Sequence, residues 1–219
     1  MSDSFKSDFG VRQGDVISPT LFNLFINDLV TDIKRETNGI LCGETRIHCL
    51  LYADDLVVIG ENESDLQNML NILDKWCKDW KMKVNNNKTK VMHYRPLNRD
   101  PSTYNFRLGN HHLDIVDTYK YLGIVMHYSL NYEFTAEVLA KSGSRALGAI
   151  CSKFQNNKGL GYNTYKKSFR AGVAPILDYC SGVWGNGTLA KIDTVQNRAI
   201  RYYLGTHRFT PNVAIHGEC

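Results

Sequence analysis

The spacing of apolar residues changes near residue 130, where mixed strand and helix patterns give way to helical patterns alone. Short apolar or alternating runs predict strands at residues 46–52, 56–60, 88–94, 106–108, 113–116 and 119–125. Apolar residues at three- and four-residue steps predict two amphipathic helices before residue 81, and three more at residues 132–154, 163–180 and 188–204. The pattern therefore predicts an α+β region over residues 1–128, followed by a helical region over residues 129–219.

The first two helices carry recognisable start signals. Ser18 followed by Pro19 predicts a helix with the serine as its N-cap and the proline at its first helical position. The apolar stripe of this helix, from Leu21 to Ile33, is wide, so we expect the helix to be largely buried. Ser64 is the predicted N-cap of the second helix, which we expect to cover one face of a sheet.

Two adjacent carboxylates, Asp54 and Asp55, lie between two apolar runs. Each run predicts a buried strand and the break between them predicts a tight turn, which places both aspartates at the tip of a hairpin. Paired carboxylates repel each other unless a cation lies between them, and hard oxygen ligands suit Mg²⁺. The pair therefore predicts a metal-dependent phosphoryl or nucleotidyl transfer centre. The same residues are also typical of an ordinary turn, so both interpretations stay open at this point.

Composition excludes few functional classes. The chain has 219 residues, of which 43% are hydrophobic and 22% are charged, which is typical of one large or two small globular domains. No apolar run is long enough to predict a membrane span, so no membrane partner is expected. The six cysteines include no Cys-x-x-Cys pair, so we expect free intracellular thiols rather than a zinc site.

The positive charge is concentrated in the second half of the chain. Residues 1–100 carry 13 basic and 15 acidic side chains, whereas residues 101–219 carry 13 basic and 7 acidic ones. A basic second half suits a polyanionic partner. Lys166, Lys167 and Arg170 alternate with aromatic residues on one predicted helix, an arrangement that could follow a nucleic-acid backbone. A helix with a solvated basic side and an aromatic core side explains the same pattern equally well.

Four sequence blocks then occur in a fixed order. They are a Gln-Gly block with a following Ser-Pro pair at residues 10–29, Leu-Tyr-Ala-Asp-Asp at residues 51–55, a lysine-bearing block at residues 80–90, and Tyr-Lys-Tyr-Leu-Gly at residues 119–123. In this order and at these separations the blocks resemble the reverse transcriptases of non-LTR (LINE-type) retrotransposons. The tail, with Val183-Trp184 and the segment at residues 208–211, resembles the thumb region of the same proteins. The resemblance therefore covers nearly the whole chain.

The resemblance implies a fold, a reaction and a set of partners. The fold would be α+β, with a partial polymerase palm (an antiparallel sheet packed on helices) over residues 1–128 and a helical thumb or connection region over residues 129–219. The reaction would be RNA-directed DNA synthesis, in which a primer 3′-hydroxyl attacks the α-phosphorus of a deoxynucleotide with the help of two metal ions. Mg²⁺, or Mn²⁺ in its place, would be the cofactor. RNA template, DNA primer and deoxynucleoside triphosphates would be the partners, and the nucleus would be the location.

The resemblance also implies roles for residues of the acidic hairpin. Asp54 would be a catalytic metal ligand, with Asp55 as a second or supporting carboxylate. Tyr52 and Ala53 would lie beside the primer terminus, where template and nucleotide bind.

Further roles fall outside the hairpin. Gln13 and Gly14 would border the incoming nucleotide and the template. Lys88 would assist the leaving pyrophosphate as a general acid. Leu122 and Gly123 would form the primer grip. The backbone-contact role of Lys166, Lys167 and Arg170 comes from their own spacing and not from the resemblance.

The chain departs from the family pattern at its beginning. Only nine residues precede Gly10, and neither Asp3 nor Asp8 among them follows a predicted strand as the family's additional palm aspartate does. The fingers that grip nucleotide phosphates are not recognisable either. We therefore expect these parts to be supplied in cis or in trans, and we expect little or no polymerase activity from this chain alone. We also expect an uncovered sheet edge that promotes aggregation.

Three other interpretations remain at this point. The chain could be a catalytically incomplete remnant that binds nucleic acid through its basic half, or a relic without function. It could also be a reverse transcriptase of the group II intron type. The Tyr-Lys-Tyr-Leu-Gly block and the tryptophan-containing tail favour the LINE-type family over the last of these.

Overall fold

The computed structural model describes residues 14–156, 161–185 and 190–217, which form two compact units. The first unit comprises residues 14–91 and 101–115, and the second comprises residues 92–100 and the described residues from 116 onward. Each unit has its own cluster of buried apolar side chains. Among the described helices, none is both long enough and apolar enough to span a membrane.

The first unit contains two helices and three short antiparallel hairpins. The helices are α1 (Ser18–Glu36) and α2 (Glu63–Asp79). The hairpins pair β1 (Ile40–Cys42) with β2 (Thr45–Ile47), β3 (Cys49–Tyr52) with β4 (Asp55–Val58), and β5 (Arg107–Leu108) with β6 (His111–His112). The two helices pack on each other, and α2 also packs on β5. The predicted α+β class with antiparallel sheet packed on helices is confirmed, although the described strands form separate two-stranded sheets.

Both helices have N-caps that differ from the predicted ones. Ser18 is the first residue of α1 rather than its N-cap, since Ile17 occupies the cap position without a side-chain hydrogen bond. In α2 the N-cap is Asn62, whose side chain accepts a hydrogen bond from the backbone N–H of Asp65 at 2.9 Å. Ser64, the predicted cap, instead donates its hydroxyl to the Asn62 side chain at 2.6 Å. Asparagine therefore replaces serine in this role, which both residue types can fill.

The prediction that α1 is largely buried is wrong for its N-terminal half. Leu29 and Ile33 are buried, whereas Leu24 is 66% exposed. The aromatic contact with α2 is made by Phe25, whose ring centroid lies 5.1 Å from that of Trp76. Within the described ranges, no element buries the apolar side chains of the preceding turns, so the wide apolar stripe is covered only toward its C-terminal end.

Two predicted strands of the first unit are also wrong. Residues 88–94 do not form a strand: the Asn85 carbonyl accepts the N–H groups of Lys88 at 3.1 Å and Thr89 at 3.0 Å and closes a turn at the start of this stretch, and the rest is irregular. Only Val91 makes a β-bridge, with Ile115. The predicted Gly109–Asn110 turn is confirmed, but the second strand of that hairpin is β6, at residues 111–112 rather than 113–116.

The second unit begins with a hairpin and continues as helices. The hairpin pairs β7 (Thr118–Tyr121) with β8 (Ile124–His127). The helices are α3 (Glu133–Asn156), α4 (Tyr162–Gly172), α5 (Ala174–Leu177), α6 (Ser181–Trp184), α7 (Ala190–Leu204) and α8 (Asn212–Gly217). The single strand predicted for residues 119–125 is wrong, because a turn divides it. The helix predicted for residues 163–180 is interrupted near Pro175, which lacks the N–H group that a continuous helix needs.

The core of the second unit lies between α3 and the helices that follow it. Leu147, Val173 and Leu177 are fully buried there. A Cβ atom at Gly143 would lie 2.5 Å from Leu177 Cδ2, so the glycine permits α3 and α5 to pack closely. The Glu137 carboxylate on α3 joins this helix to α7, because Lys141 and Lys191 both bind it and lower its pKa to about 2.

The compact units do not divide the chain where the palm and thumb were predicted to meet. Residues 92–100 and 116–128 belong to the second unit, together with helices α3 to α8. Compactness alone does not define a palm or a thumb, so the domain boundary at residues 128/129 stays a prediction.

Candidate functional site

The acidic pair lies at the tip of the β3–β4 hairpin, as predicted. Tyr52 pairs with Asp55 across the hairpin, so Ala53 and Asp54 form a two-residue turn and Asp55 begins β4. All four residues are exposed. The two carboxylates are therefore held on a tight turn and are open to solvent.

The strands that carry this tip are less buried than predicted. Leu50 is 50% exposed and Leu51 is 37% exposed. Two residues of the hairpin, Leu56 and Val58, pack against the core of the first unit, and both are only partly buried. Within the described ranges, β3 pairs with β4 alone. Its apolar residues Leu50 and Leu51 therefore gain no protection from a further strand and are exposed.

The turn contains one residue in an unfavourable backbone conformation. Ala53 has a φ of 51°, in the left-handed region that glycine adopts much more readily. A non-glycine residue in this region costs on the order of 1–2 kcal/mol and is maintained only by its surroundings. Strain is therefore stored directly beside the two carboxylates.

Replacing Ala53 with glycine is expected to raise the free energy of unfolding by about 0.5–1 kcal/mol, because the variant removes the Cβ atom that disfavours a positive φ. Urea unfolding followed by tryptophan fluorescence measures this change. The control is Ala149→Gly at an exposed position in the interior of α3, where we expect a loss of about 1 kcal/mol. A destabilising effect at both positions would contradict the role assigned to the backbone strain.

A buried carboxylate that the sequence reading missed fixes the segments on either side of the hairpin. Asp65 accepts hydrogen bonds from the backbone N–H groups of Asn38 at 2.8 Å, Gly39 at 3.1 Å and Glu61 at 3.4 Å. Asp65 thereby joins the end of α1 and the exit of β4 to the first turn of α2. The spacing Asn62-x-x-Asp65, a variant of the helix capping box, is the sequence feature from which the role of Asp65 could have been predicted.

The acidic pair offers the right type of ligand for a divalent metal ion but only some of the ligands that the ion needs. Its carboxylate oxygens are the donor type that Mg²⁺ prefers. In the part of the chain that the structure describes, no group of three or more His, Cys, Asp or Glu side chains could hold a metal ion. Mg²⁺ is often bound through one or two carboxylates, with phosphate and water oxygens completing the octahedron. Asp54 and Asp55 therefore suit one ion completed in that way.

Three further candidate residues, Gln13, Gly14 and Lys88, lie outside the acidic hairpin along the chain. Gln13 lies outside the described residues. Gly14 has a φ of 83° and no atom within 4 Å of an added Cβ, so glycine is needed there for the turn rather than for a close approach. Lys88 is exposed in the turn that follows α2. The roles assigned to these residues stay predictions.

Leu122 and Gly123 form the two-residue turn of the β7–β8 hairpin. Their φ values are 45° and 85°, the two positive angles of a type I′ turn. The hydroxyl of Tyr179 donates a hydrogen bond to the carbonyl oxygen of Leu122 at 2.9 Å. The predicted primer grip is thus a tight turn held by a contact from the helical part of its own unit.

The basic helix α4 has its aromatic residues in the core. Tyr165 is buried and its hydroxyl donates to the Ala199 carbonyl oxygen at 2.9 Å, while Phe169 packs against the same core. These two rings are therefore not available to stack on bases. Lys167 and Arg170 are exposed, and the Lys166 ammonium lies 5.3 Å from the centroid of the Tyr162 ring.

An arginine-lined cleft in the second unit was not predicted. It has a volume of about 500 Å³, and Arg198, Arg201 and Arg208 lie in its wall together with neutral residues of α3 and α7. No acidic residue lines it within the described ranges. Arg201 is fixed by hydrogen bonds from its Nη2 to the Thr210 carbonyl oxygen at 2.8 Å and to Asn212 at 2.6 Å. Arg198 and Arg201 lie three positions apart on one predicted helix, which was the available signal.

Comparison with known proteins decides the family. The sequence profile described as "Reverse transcriptase (RNA-dependent DNA polymerase)" matches residues 2–126, which is more than half of the chain. The chain belongs to the reverse transcriptase family. All four sequence blocks of this reverse transcriptase lie inside the matched range, whereas α4 and the arginine-lined cleft lie outside it. Reverse transcriptases as a family use divalent metal ions.

The relatives of this reverse transcriptase come from mobile elements. It is 28% identical to the RNA-directed DNA polymerase from mobile element jockey of Drosophila melanogaster, over 93% of this chain and 23% of that protein. It is 26% identical to the probable RNA-directed DNA polymerase from transposon BS of the same species, over 95% and 24%. It is 33% identical to the Pol polyprotein from the type-1 retrotransposable element R2 of Nasonia vitripennis, over 53% and 12%. The predicted non-LTR retrotransposon type is confirmed, and the chain spans less than a quarter of these relatives.

Proposed function

We propose that the protein is the part of an RNA-directed DNA polymerase that carries the acidic hairpin, and that the complete enzyme transfers nucleotides from deoxynucleoside triphosphates to a primer 3′-hydroxyl. The observation that carries this proposal is the placement of Asp54 and Asp55. Both are exposed at the tip of a two-residue hairpin turn, inside the range that matches the family. Carboxylates exposed in this way can bind a metal ion whose remaining ligands are phosphate oxygens of a substrate.

The proposed mechanism assigns one task to each group of residues. Asp54, supported by Asp55, offers oxygen ligands to a divalent cation, Mg²⁺ or Mn²⁺. Such an ion, when bound, activates the attacking hydroxyl and neutralises charge on the phosphates. Tyr52 and Ala53 border the primer terminus, and the exposed Lys88 donates a proton to the leaving pyrophosphate.

Further residues bind the template, the primer and the nucleic-acid backbone. Gln13 and Gly14 border the nucleotide and the template, and the turn at residues 122–123 contacts the primer. Lys166, Lys167 and Arg170 bind backbone phosphates, together with the arginines of the cleft in the second unit. Arginine suits this task because its planar guanidinium donates several hydrogen bonds to one phosphate.

The arginine-lined cleft yields a quantitative prediction. The logarithm of the association constant for nucleic acid falls as the logarithm of salt concentration rises. Arg198→Gln and Arg208→Gln are each expected to make this slope shallower by about 0.9, because each variant removes one phosphate contact. Fluorescence anisotropy with a labelled RNA–DNA duplex, repeated at several salt concentrations, measures the slope. Arg99→Gln is the control, because Arg99 is exposed in the same unit but outside the cleft. An equal reduction in the control would show an effect of net charge and would contradict a phosphate site in the cleft.

Primer extension on a poly(rA)·oligo(dT) template tests the proposed function. Because the chain spans less than a quarter of its relatives, the assay uses both this chain alone and a longer protein, in which an upstream segment with the further palm aspartate and the fingers is fused to this chain. We propose that a further palm aspartate and fingers act in cis or in trans, and that the protein works in the nucleus. Extension by the longer protein that requires RNA, deoxynucleotides and Mg²⁺ or Mn²⁺ would support the proposal. Binding of the duplex without extension by either form would contradict it and favour a nucleic-acid-binding remnant.

A further inference from the structure

The turn at Leu122 and Gly123 is not one that its own sequence favours. Type I′ turns require a positive φ at both central positions, and asparagine, aspartate or glycine is preferred there. Leucine at the first position, with a φ of 45°, is a genuine outlier. Such conformations persist only where surrounding contacts over-determine them. The contacts around this turn must therefore hold it in place.

Tyr179 supplies two such contacts. Its hydroxyl donates a hydrogen bond to the Leu122 carbonyl oxygen at 2.9 Å. Its ring lies directly against Gly123, because a Cβ atom added to that glycine would be 2.9 Å from Tyr179 Cε1. The glycine therefore serves both the positive φ and the close approach of the ring.

Tyr179 is in turn held by a buried residue. The Trp184 indole N–H donates a hydrogen bond to the Tyr179 carbonyl oxygen at 2.7 Å, and Trp184 is part of the core of the second unit. The Tyr179 side chain itself remains 45% exposed. Its position suits a contact that orients a neighbouring turn better than one that fills a core.

The strand beyond the turn is anchored separately. Buried Thr135 of α3 accepts a hydrogen bond from the Val125 N–H at 3.0 Å and donates its hydroxyl to the Val125 carbonyl oxygen at 2.9 Å. Thr135 fixes β8, whereas Tyr179 fixes the turn. Loss of the Tyr179 contact is therefore expected to loosen the turn without detaching the hairpin.

We propose that Tyr179 is a positioning residue for the primer strand, which it serves by holding Leu122 and Gly123 in the conformation that contacts the primer. This inference rests on the proposed function, in which that turn is the primer grip. Tyr179 itself does not need to contact the primer or the reacting atoms.

The test replaces Tyr179 with phenylalanine, which keeps the ring and removes only the hydroxyl. We expect amide hydrogen exchange at residues 121–124 to become about fivefold faster, as the loss of one hydrogen bond predicts. We expect the dissociation constant for an RNA–DNA primer–template to rise by a similar factor, with little change in the melting temperature. Adding Leu122→Asn, a residue that tolerates a positive φ, is expected to return the exchange rate toward that of the wild type.

The matched control is Tyr165→Phe. It also removes a hydrogen bond from a tyrosine hydroxyl to a backbone carbonyl oxygen in the second unit, but in the core. We expect this variant to lower the melting temperature and to leave exchange at residues 121–124 unchanged.

Two results would overturn the inference, and they are distinguishable. Unchanged exchange at residues 121–124 in Tyr179→Phe would show that Tyr179 does not hold the turn. Faster exchange with unchanged primer–template affinity would show that the turn does not hold the primer. Failure of the wild-type protein to bind primer–template would instead overturn the proposed function, and with it the role of Tyr179 in primer binding.

Discussion

Replacing Asp65 with alanine is expected to lower the free energy of unfolding of the first unit by about 3–5 kcal/mol. The reason is the number of backbone donors that depend on one carboxylate. Three N–H groups, those of Asn38, Gly39 and Glu61, donate to it, and the carboxylate is buried. Alanine would leave these donors without their acceptor, and each such loss costs about 1–3 kcal/mol where water cannot replace it.

Urea unfolding followed by tryptophan fluorescence measures the effect, because Trp76 and Trp80 lie in the first unit. Asp65→Asn is expected to have a smaller effect, since the amide keeps one acceptor oxygen. The control is Asp79→Asn at the exposed end of α2, which we expect to change stability by less than about 0.5 kcal/mol. A loss below about 1 kcal/mol for Asp65→Ala would show that the buried carboxylate does not hold these segments together.

Asp54→Asn is the substitution with the largest expected effect on activity. The variant keeps the size and position of the side chain and removes the negative charge. Because metal ions supply several kcal/mol of charge stabilisation in such reactions, we expect the rate of primer extension to fall by about a thousandfold or more. Asp54 is exposed at the hairpin tip, so the melting temperature is expected to stay within about 2 °C of the wild-type value.

Two measurements separate this effect from misfolding. Titration with Mn²⁺, with the free ion followed by electron paramagnetic resonance, tests metal binding directly and requires no activity. Single-turnover extension by the longer protein tests the rate. Glu44→Gln in the exposed β1–β2 turn removes the same charge outside the site and is expected to leave both quantities unchanged. Equal Mn²⁺ affinity in Asp54→Asn and in the control would contradict the role of Asp54 as a metal ligand.

The sequence predicted elements whose apolar pattern is strong and whose turns use common turn residues. Helices α2, α3 and α7 follow three- and four-residue spacing, and the hairpin tip at Asp54 interrupts two apolar runs clearly. The four blocks led to the correct family because their order carries information that no single block has. The β7–β8 hairpin was not predicted because Leu122 places an apolar residue in the turn, in a backbone conformation that leucine rarely adopts.

Burial was the least predictable property of the site. An apolar run such as the one in β3 indicates that its residues suit a covered position, but Leu50 and Leu51 are exposed because no described layer covers them. The role of the Asp65 carboxylate and the arginine-lined cleft were not predicted for a different reason. Local spacing marks residues of each feature, but the contacts join groups from separate parts of the chain, and a pattern along the sequence does not show which groups meet.

The interleaving of the two units has a consequence for how the protein is made and cut. The chain leaves the first unit after residue 91, returns to it at residue 101 and leaves it again after residue 115. On the ribosome, the first unit cannot acquire the β5–β6 hairpin until residue 112 has emerged, by which time residues 92–100 still await their partners. A protease that cuts once within residues 92–115 would therefore divide both units between the two fragments. Expression boundaries for either half are best placed outside this segment.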